Sequence, residues 1–272
     1  MLAGCGSSAQ NTVDKAETVD NEDETLSSLW TDFYENMPQD RNVEDDFRNS
    51  QFMEELKKYL SDDEAFDITG PELSEICGIN DVFIMEKTSG EWKARVIYVG
   101  ADLYNKSVTD VNVRNKYVFL QMTDGKQHYF TTISDGDFVY PQSLILFEYE
   151  GEPSAVIISK YCAAYPDGIL MEAYTIGDSS DSSIDGGHAE GSSIVVADMF
   201  GEYVVEGVSA EKMAAGVLFE SSYEAGTSFG DILKLDAYMD EETNDIYLIS
   251  GENTITFKFY DGKYTIDGSG AK

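Results

Sequence analysis

Gly226-Thr227-Ser228-Phe229-Gly230 has the G-x-S-x-G spacing that can present a nucleophilic serine. That chemistry needs a strand before the serine and a helix after it, so that the hydroxyl stands exposed on a strained turn. The segment that follows alternates like a strand instead. A base is also missing at the right place: both histidines, His128 and His188, precede Ser228. The pattern reads more simply as a Gly-rich hairpin turn. No H-x-x-H or H-E-x-x-H spacing occurs, so zinc hydrolysis is not supported. His128 is expected to be a cross-strand pairing residue and His188 to be solvated.

Carboxylates are the most abundant chemical group, with 52 Asp and Glu. Clusters occur at Asp135/Asp137, Asp178/Asp181/Asp185 and Asp240/Glu241/Glu242/Asp245. Calcium takes six to eight oxygens, yet none of these clusters has the EF-hand order. With so many acids, clusters arise freely and serve solubility. The same abundance prevents selection of a glycosidase pair, which is defined by separation in space. There are 17 Tyr and 2 Trp. Exposed aromatics can stack on sugars or make protein contacts, but in alternating strands most belong to the core or to cross-strand pairs. No glycine-rich phosphate loop is present. No residue is therefore assigned a catalytic or metal-ligating role, and no cofactor is expected.

Charge excludes other classes of partner. Lys and Arg total 18, so the net charge is 18 − 52 = −34. Nucleic acid is bound by clustered Lys and Arg, so it is not expected as a partner. A polybasic anchor on anionic lipid is excluded on the same ground. The longest apolar runs, such as Leu144–Phe147 and Ala155–Ile158, are far shorter than the ~20 residues that span a bilayer. A 272-residue chain with 42% hydrophobic and 26% charged residues is globular, with one or two domains.

Leu2-Ala3-Gly4-Cys5 resembles the lipobox of bacterial lipoproteins. Small residues at Ala3 and Gly4 suit a tight peptidase pocket, and Cys5 supplies a nucleophilic sulfur. The resemblance covers these four residues and the Gly6-Ser7-Ser8 start of a tether. It implies a diacylglyceryl group on Cys5, cleavage before Cys5, and a cell-membrane location on the extracytoplasmic face. The charged and apolar segments that go before a lipobox are expected in the gene upstream of Met1. Residues 6–24 lack aromatic residues and are rich in Ser, Asn, Thr, Asp and Glu. Such a stretch cannot offset its ordering entropy and is expected to be a disordered acidic tether. With Cys5 assigned to lipid, Cys77 and Cys162 remain. Either they form one disulfide, closing 162 − 77 = 85 residues, or they are two separate buried thiols. A catalytic pairing of Cys162 with His128 is the weaker alternative.

The elements that position these residues divide into two textures. Leu26, Leu29, Trp30, Phe33 and Tyr34 fall on one face of a helix over about 22–36. Pro38 marks its end. A second stripe, Val43, Phe47, Met53, Leu56, Tyr59 and Leu60, predicts one helix over 43–60, capped by Asn42 or Asp40. Pro71–Cys77 fits a third, with Pro at its start and Gly78 just past its end. From Asn80 onward, runs of Tyr, Phe, Val, Ile and Thr are broken by Gly and Asp, as in short antiparallel strands. Tyr203–Glu206 is among the expected strands, and Ser209–Gly216 reads as a short inserted helix. Asp124-Gly125 and Asp261-Gly262 suit tight hairpins.

The expected organisation is a lipobox and tether over 1–24, a helical segment over 25–78 and a β module over 79–177. A polar loop or linker follows over 178–193, then a second β module, or a continuation of the first, over 194–272. The fold class is mainly β with N-terminal helices (α+β): an antiparallel sandwich or open barrel, with two packed modules as a variant. The expected function is a membrane-anchored, non-catalytic binding or envelope-associated lipoprotein whose protein or glycan partner is undetermined. A secreted hydrolase using carboxylates on glycan or peptide is the alternative. An intracellular acidic protein with a chance lipobox is the third reading.

Overall fold

The computed structural model describes residues 25–37, 43–103, 114–135, 139–161, 168–178, 192–204, 208–221 and 235–267. The expected lipobox and acidic tether, and the caps expected at Asp40 or Asn42, lie outside them.

The helical layer begins with α1 (Leu26–Glu35), whose N-cap Thr25 accepts from Ser28 N. The single helix expected over 43–60 is two helices, α2 (Val43–Arg48) and α3 (Gln51–Ser61). The break has a local cause. Ser50 adopts an extended backbone, caps α3 by accepting from Met53 N, and donates to Phe47 O at 2.7 Å. A serine that satisfies orphan backbone groups in this way ends one helix and starts the next. The apolar stripe survives because Trp30, Phe47 and Phe52 meet across the break. A 3₁₀ turn, η1 (Asp63–Asp67), leads to α4 (Gly70–Cys77). Thr69 and Glu72 form a capping box at the start of α4, and Gly78 closes it with a φ of 71°. Among the described residues, no helix is long and apolar enough to cross a membrane.

Three antiparallel sheets follow. The first is the meander β1 (Asp81–Ser89), β2 (Trp92–Asp102), β3 (Arg114–Thr123) and β4 (His128–Asp135). The second holds β5 (Val139–Tyr149), β6 (Glu152–Tyr161), β7 (Gly168–Asp178), β8 (Ser192–Val196), β9 (Val208–Lys212) and β10 (Gly216–Ser221). Its order is β5-β6-β7-β10-β9, and β8 pairs with the far half of β7. The third is the meander β11 (Leu235–Met239), β12 (Ile246–Ser250), β13 (Asn253–Tyr260) and β14 (Lys263–Ile266). Asp124-Gly125 turns β3 into β4, where Asp124 accepts from the N–H groups of Lys126 and Gln127. Asp261-Gly262 turns β13 into β14 with positive φ at both residues, 50° and 74°, as a type I′ hairpin demands.

The layers stack as helices, first sheet, second sheet, third sheet, and the side-chain alternation of each strand shows it. Along β2, Ile97, Val99 and Ala101 pack on the helices, while Ala94, Val96 and Tyr98 face the second sheet. The second sheet is covered on both faces. On β6, Ala155 and Ile157 meet the first sheet, and Val156 and Ile158 meet the third. Burial on both faces is why Leu144–Phe147 and Ala155–Ile158 read as unbroken apolar runs. The third sheet has one solvated face, so β11 alternates: Leu235 is buried while Asp236 and Tyr238 are exposed. The architecture is an open, sandwich-like stack of three sheets, and the barrel alternative is not adopted.

Two local expectations are overturned. Ser209–Gly216 is not a helix but most of the β9–β10 hairpin, with Ala210 paired to Phe219. Backbone pairing with β7 wins over the helical propensity of so short a segment, which lies below the length at which isolated helices persist. Tyr203 and Val204 are not in a strand. Tyr203 instead reaches across, its hydroxyl donating to Tyr264 O at 2.7 Å. The strands on either side of the polar segment 178–193, β7 and β8, pair with each other in one sheet.

Candidate functional site

A cleft of about 360 Å³ opens where the first and second sheets diverge. One wall is the end of β4, carrying Ser134. The other is β7 with its neighbour β8, and the β9–β10 turn, Met213–Ala215, forms the lip. The cleft exists because β7 is shared. Its first half pairs with β10 and its second half with β8, and Gly216 sits opposite Glu172 in the register. Gly216 is required there by sterics. A Cβ at this position would lie 1.8 Å from Met171 O, so only glycine lets β10 approach.

Successive residues of β7 point to opposite faces, so Leu170, Glu172, Tyr174 and Ile176 look toward the first sheet. Three of these are apolar or aromatic core residues, and Glu172 is a carboxylate with 8% exposure. The Tyr174 hydroxyl, on a side chain 1% exposed, donates to Glu172 Oε1 at 2.9 Å. Burial pushes the Tyr174 phenol well above its ordinary range, and the neighbouring Glu172 pushes it the same way. Tyr174 therefore stays a neutral donor and holds the carboxylate in place. Across the cleft, Ser134 is 5% exposed, and its Oγ is buried without a hydrogen-bond partner. Tyr161 adds a second phenol ring to the lining.

Catalytic pairings are not assembled here. The cleft lining holds one carboxylate and no histidine, lysine or arginine among the described residues. A glycosidase needs two carboxyl groups about 5–9.5 Å apart. A serine nucleophile needs a base in reach. The described lining combines a carboxylate, a serine and two aromatic rings with apolar walls.

The residues singled out in the sequence fall elsewhere. Cys5, Cys162, His188 and the Gly226–Gly230 stretch with Ser228 lie outside the described residues, as do Asp137, Asp181 and Asp185. Cys77 is a buried free thiol in the helical core, pushed by burial up to about 12. A thiol so raised is not a nucleophile at neutral pH. His128 pairs with Thr123 across β3 and β4, as a cross-strand residue does. Its Nδ1 lies 2.5 Å from Asp63 Oδ1, and its ring packs 4.3 Å from that of Phe66. The Asp240/Glu241/Glu242/Asp245 cluster is a turn. Asp240 accepts from Glu242 N at 2.9 Å, Glu241 pairs with Lys87, and Asp245 accepts from Phe259 N. Among the described residues, no group of three or more His, Cys, Asp or Glu is arranged to hold a metal.

A second depression, of about 340 Å³, lies beside Asp198. There Lys263 and Lys212 reach Asp198 at 2.6 and 3.3 Å. Those two ammonium groups hold the Asp198 carboxyl below its ordinary range. It is a largely exposed ion-pair cluster rather than an enclosed site.

Sequence reasoning did not single out Glu172, Tyr174 or Ser134. One signal was available, because Glu172 is the only charge in the run Ile169–Ile176. A lone charge in a strand buried on both faces must have a dedicated environment. Compared with known families, curated proteins and solved structures, the chain shows no significant match.

Proposed function

We propose that this chain is an extracytoplasmic bacterial lipoprotein, held at the cell membrane by a lipid on Cys5, whose β domain binds a ligand without transforming it. The observation that carries the reading is Leu2-Ala3-Gly4-Cys5. The position of the first helix is consistent with it. Between Cys5 and Leu26 the chain can reach at most about 70 Å, enough to stand a folded domain off a membrane surface. The cleft supports binding over catalysis, since among the described residues its lining pairs no nucleophile with a base and no carboxylate with a second. The strong negative charge also suits a surface protein that stays soluble on its tether.

The test is intact mass and membrane fractionation of the protein expressed from its full gene, upstream region included, in its native host. A mature chain that begins at Cys5, carries a diacylglyceryl group and partitions with membranes is expected. Cys5→Ser releases it to the soluble fraction. A chain that keeps Met1 and carries no lipid overturns the reading.

A further inference from the structure

We propose that the exposed face of the helical layer, along α1 and α4, docks a basic amphipathic helix of a partner protein. The inference goes beyond the role proposed above and does not depend on the lipid. Three observations carry it. First, α1 is incompletely covered. Its apolar stripe runs from Leu26 through Leu29, Trp30 and Phe33 to Tyr34, yet only Leu26 is buried, whereas α3 buries Phe52, Met53, Leu56 and Leu60. Tyr34 is 48% exposed, and Ile76 on α4 is 37% exposed. Second, the open residues adjoin one another. α1 packs on α4. The Trp30 ring lies 5.6 Å from that of Tyr34. On its other side, Trp30 Cδ1 is 3.4 Å from where a Cβ would stand on Gly78, two residues after Ile76. Third, the rim carries one sign of charge. Asp32 and Glu35 lie on α1, Glu72 and Glu75 on α4, and residues 25–37 and 62–80 contain no Lys or Arg.

Charge complementarity selects the occupant. An apolar strip edged by carboxylates matches a helix whose apolar stripe is flanked by Lys and Arg. The basic side chains of the helical layer are engaged elsewhere. Arg48 and Lys57 reach Asp135 at 3.7 and 3.6 Å, and Lys58 reaches Glu55 at 3.0 Å. The negative field extends along the layer to η1. There the Tyr59 phenol is pushed up by burial first, then by Cys77, Glu64, Glu72 and Asp62. The chain's own residues 1–24 hold six acids and one lysine, so their charge is repelled from this face. An anionic bilayer is repelled on the same ground.

The test is titration of the full chain with an amphipathic peptide of leucine and lysine, about 14 residues or four helical turns long, read by backbone amide shifts. The controls are the same peptide with glutamate for lysine, and vesicles of phosphatidylcholine alone or mixed with phosphatidylglycerol. The lysine peptide is expected to move the amides of α1 and α4 saturably. The glutamate peptide and both vesicles are expected to leave them in place. Glu35→Lys with Glu75→Lys should weaken the lysine peptide at least tenfold. Glu202→Lys with Glu252→Lys makes the same change in net charge at exposed positions outside the helical layer and should weaken it less than twofold. Tyr34→Ser with Ile76→Ser, both at exposed positions, should weaken it at least tenfold. Shifts centred on the third sheet, equal effects of the two charge-reversal pairs, binding unchanged by the serine pair, or binding of the glutamate peptide or of either vesicle overturns the proposal. Those results leave the mass of Cys5 untouched, so failure here and failure of the anchoring role are read separately.

Discussion

Arg95 and Gln121 stand directly opposite each other on β2 and β3, joined Nη1 to Oε1 at 3.0 Å beneath the helical layer. Both are buried. Together they serve carbonyls that the ends of helices leave unpaired. Gln121 Nε2 donates to Leu60 O at 2.6 Å, in the last turn of α3. Arg95 donates to Ala65 O at 2.8 Å and to Ile68 O. Glu86 lies 3.3 Å from the guanidinium and partly balances its charge. Lys93, two residues earlier on the same face, adds a bond to Phe66 O. The first sheet thus holds η1 by its backbone and not only by apolar contact.

Arg95→Met should therefore cost about 3 kcal/mol, because it strands buried carbonyls and the Gln121 amide. Arg95→Lys should recover little, since an ammonium cannot fork to several acceptors. Urea unfolding measures the loss, and hydrogen exchange should show the amides of η1 and α4 opening first. A loss within about 0.5 kcal/mol would mean that packing alone holds this layer.

Asp198 should make stability depend on pH in one direction. Its folded-state pKa is depressed, by Lys263 first and then Lys212. A depressed carboxylate contributes stability that is fully present above the ordinary aspartate value, about 4. It is lost as pH falls through the lower folded value. Asp198→Asn should cost less than about 1 kcal/mol at neutral pH, because the pair is largely exposed. The difference from the parent should vanish in strong acid and shrink in about 1 M salt. Chemical denaturation of both proteins across pH 2–7 checks this, and a difference that grows in acid contradicts it.

Gly216→Ala should destabilise by about 3 kcal/mol or more, at the upper end of overpacking costs. The added Cβ meets backbone, Met171 O at 1.8 Å and Glu172 Cα at 2.8 Å, so no side chain can yield to it. Its effect should extend to the cleft, because Gly216 is the register partner of Glu172. Thermal unfolding together with the amide shifts of Glu172 and Ser134 reads both effects. An unchanged melting temperature would mean that β10 does not approach β7 this closely.

Period and punctuation were enough to place most strands and two of the tight turns. Asp261-Gly262 could be read in advance because the geometry of a two-residue hairpin leaves few residues that fit it. The same held for Gly78 at the end of α4. The mainly β antiparallel class with N-terminal helices followed from the same signals. The split at Ser50 was missed because a serine in an amphipathic stripe can cap or simply face solvent, and only its neighbours decide. The helix expected over Ser209–Gly216 failed for a related reason, since local propensity carries no information about the strand waiting to pair.

What the sequence determined by itself is therefore local: alternation, turns, the Gly78 helix end and charge. What the tertiary structure decided is which surfaces meet. The doubly covered second sheet, the Arg95–Gln121 clamp and the convergence of Ser134 with Glu172 all join residues far apart in the chain. Side-chain period specifies a face but not what lies against it, and that is settled only when whole layers compete to bury the same apolar area.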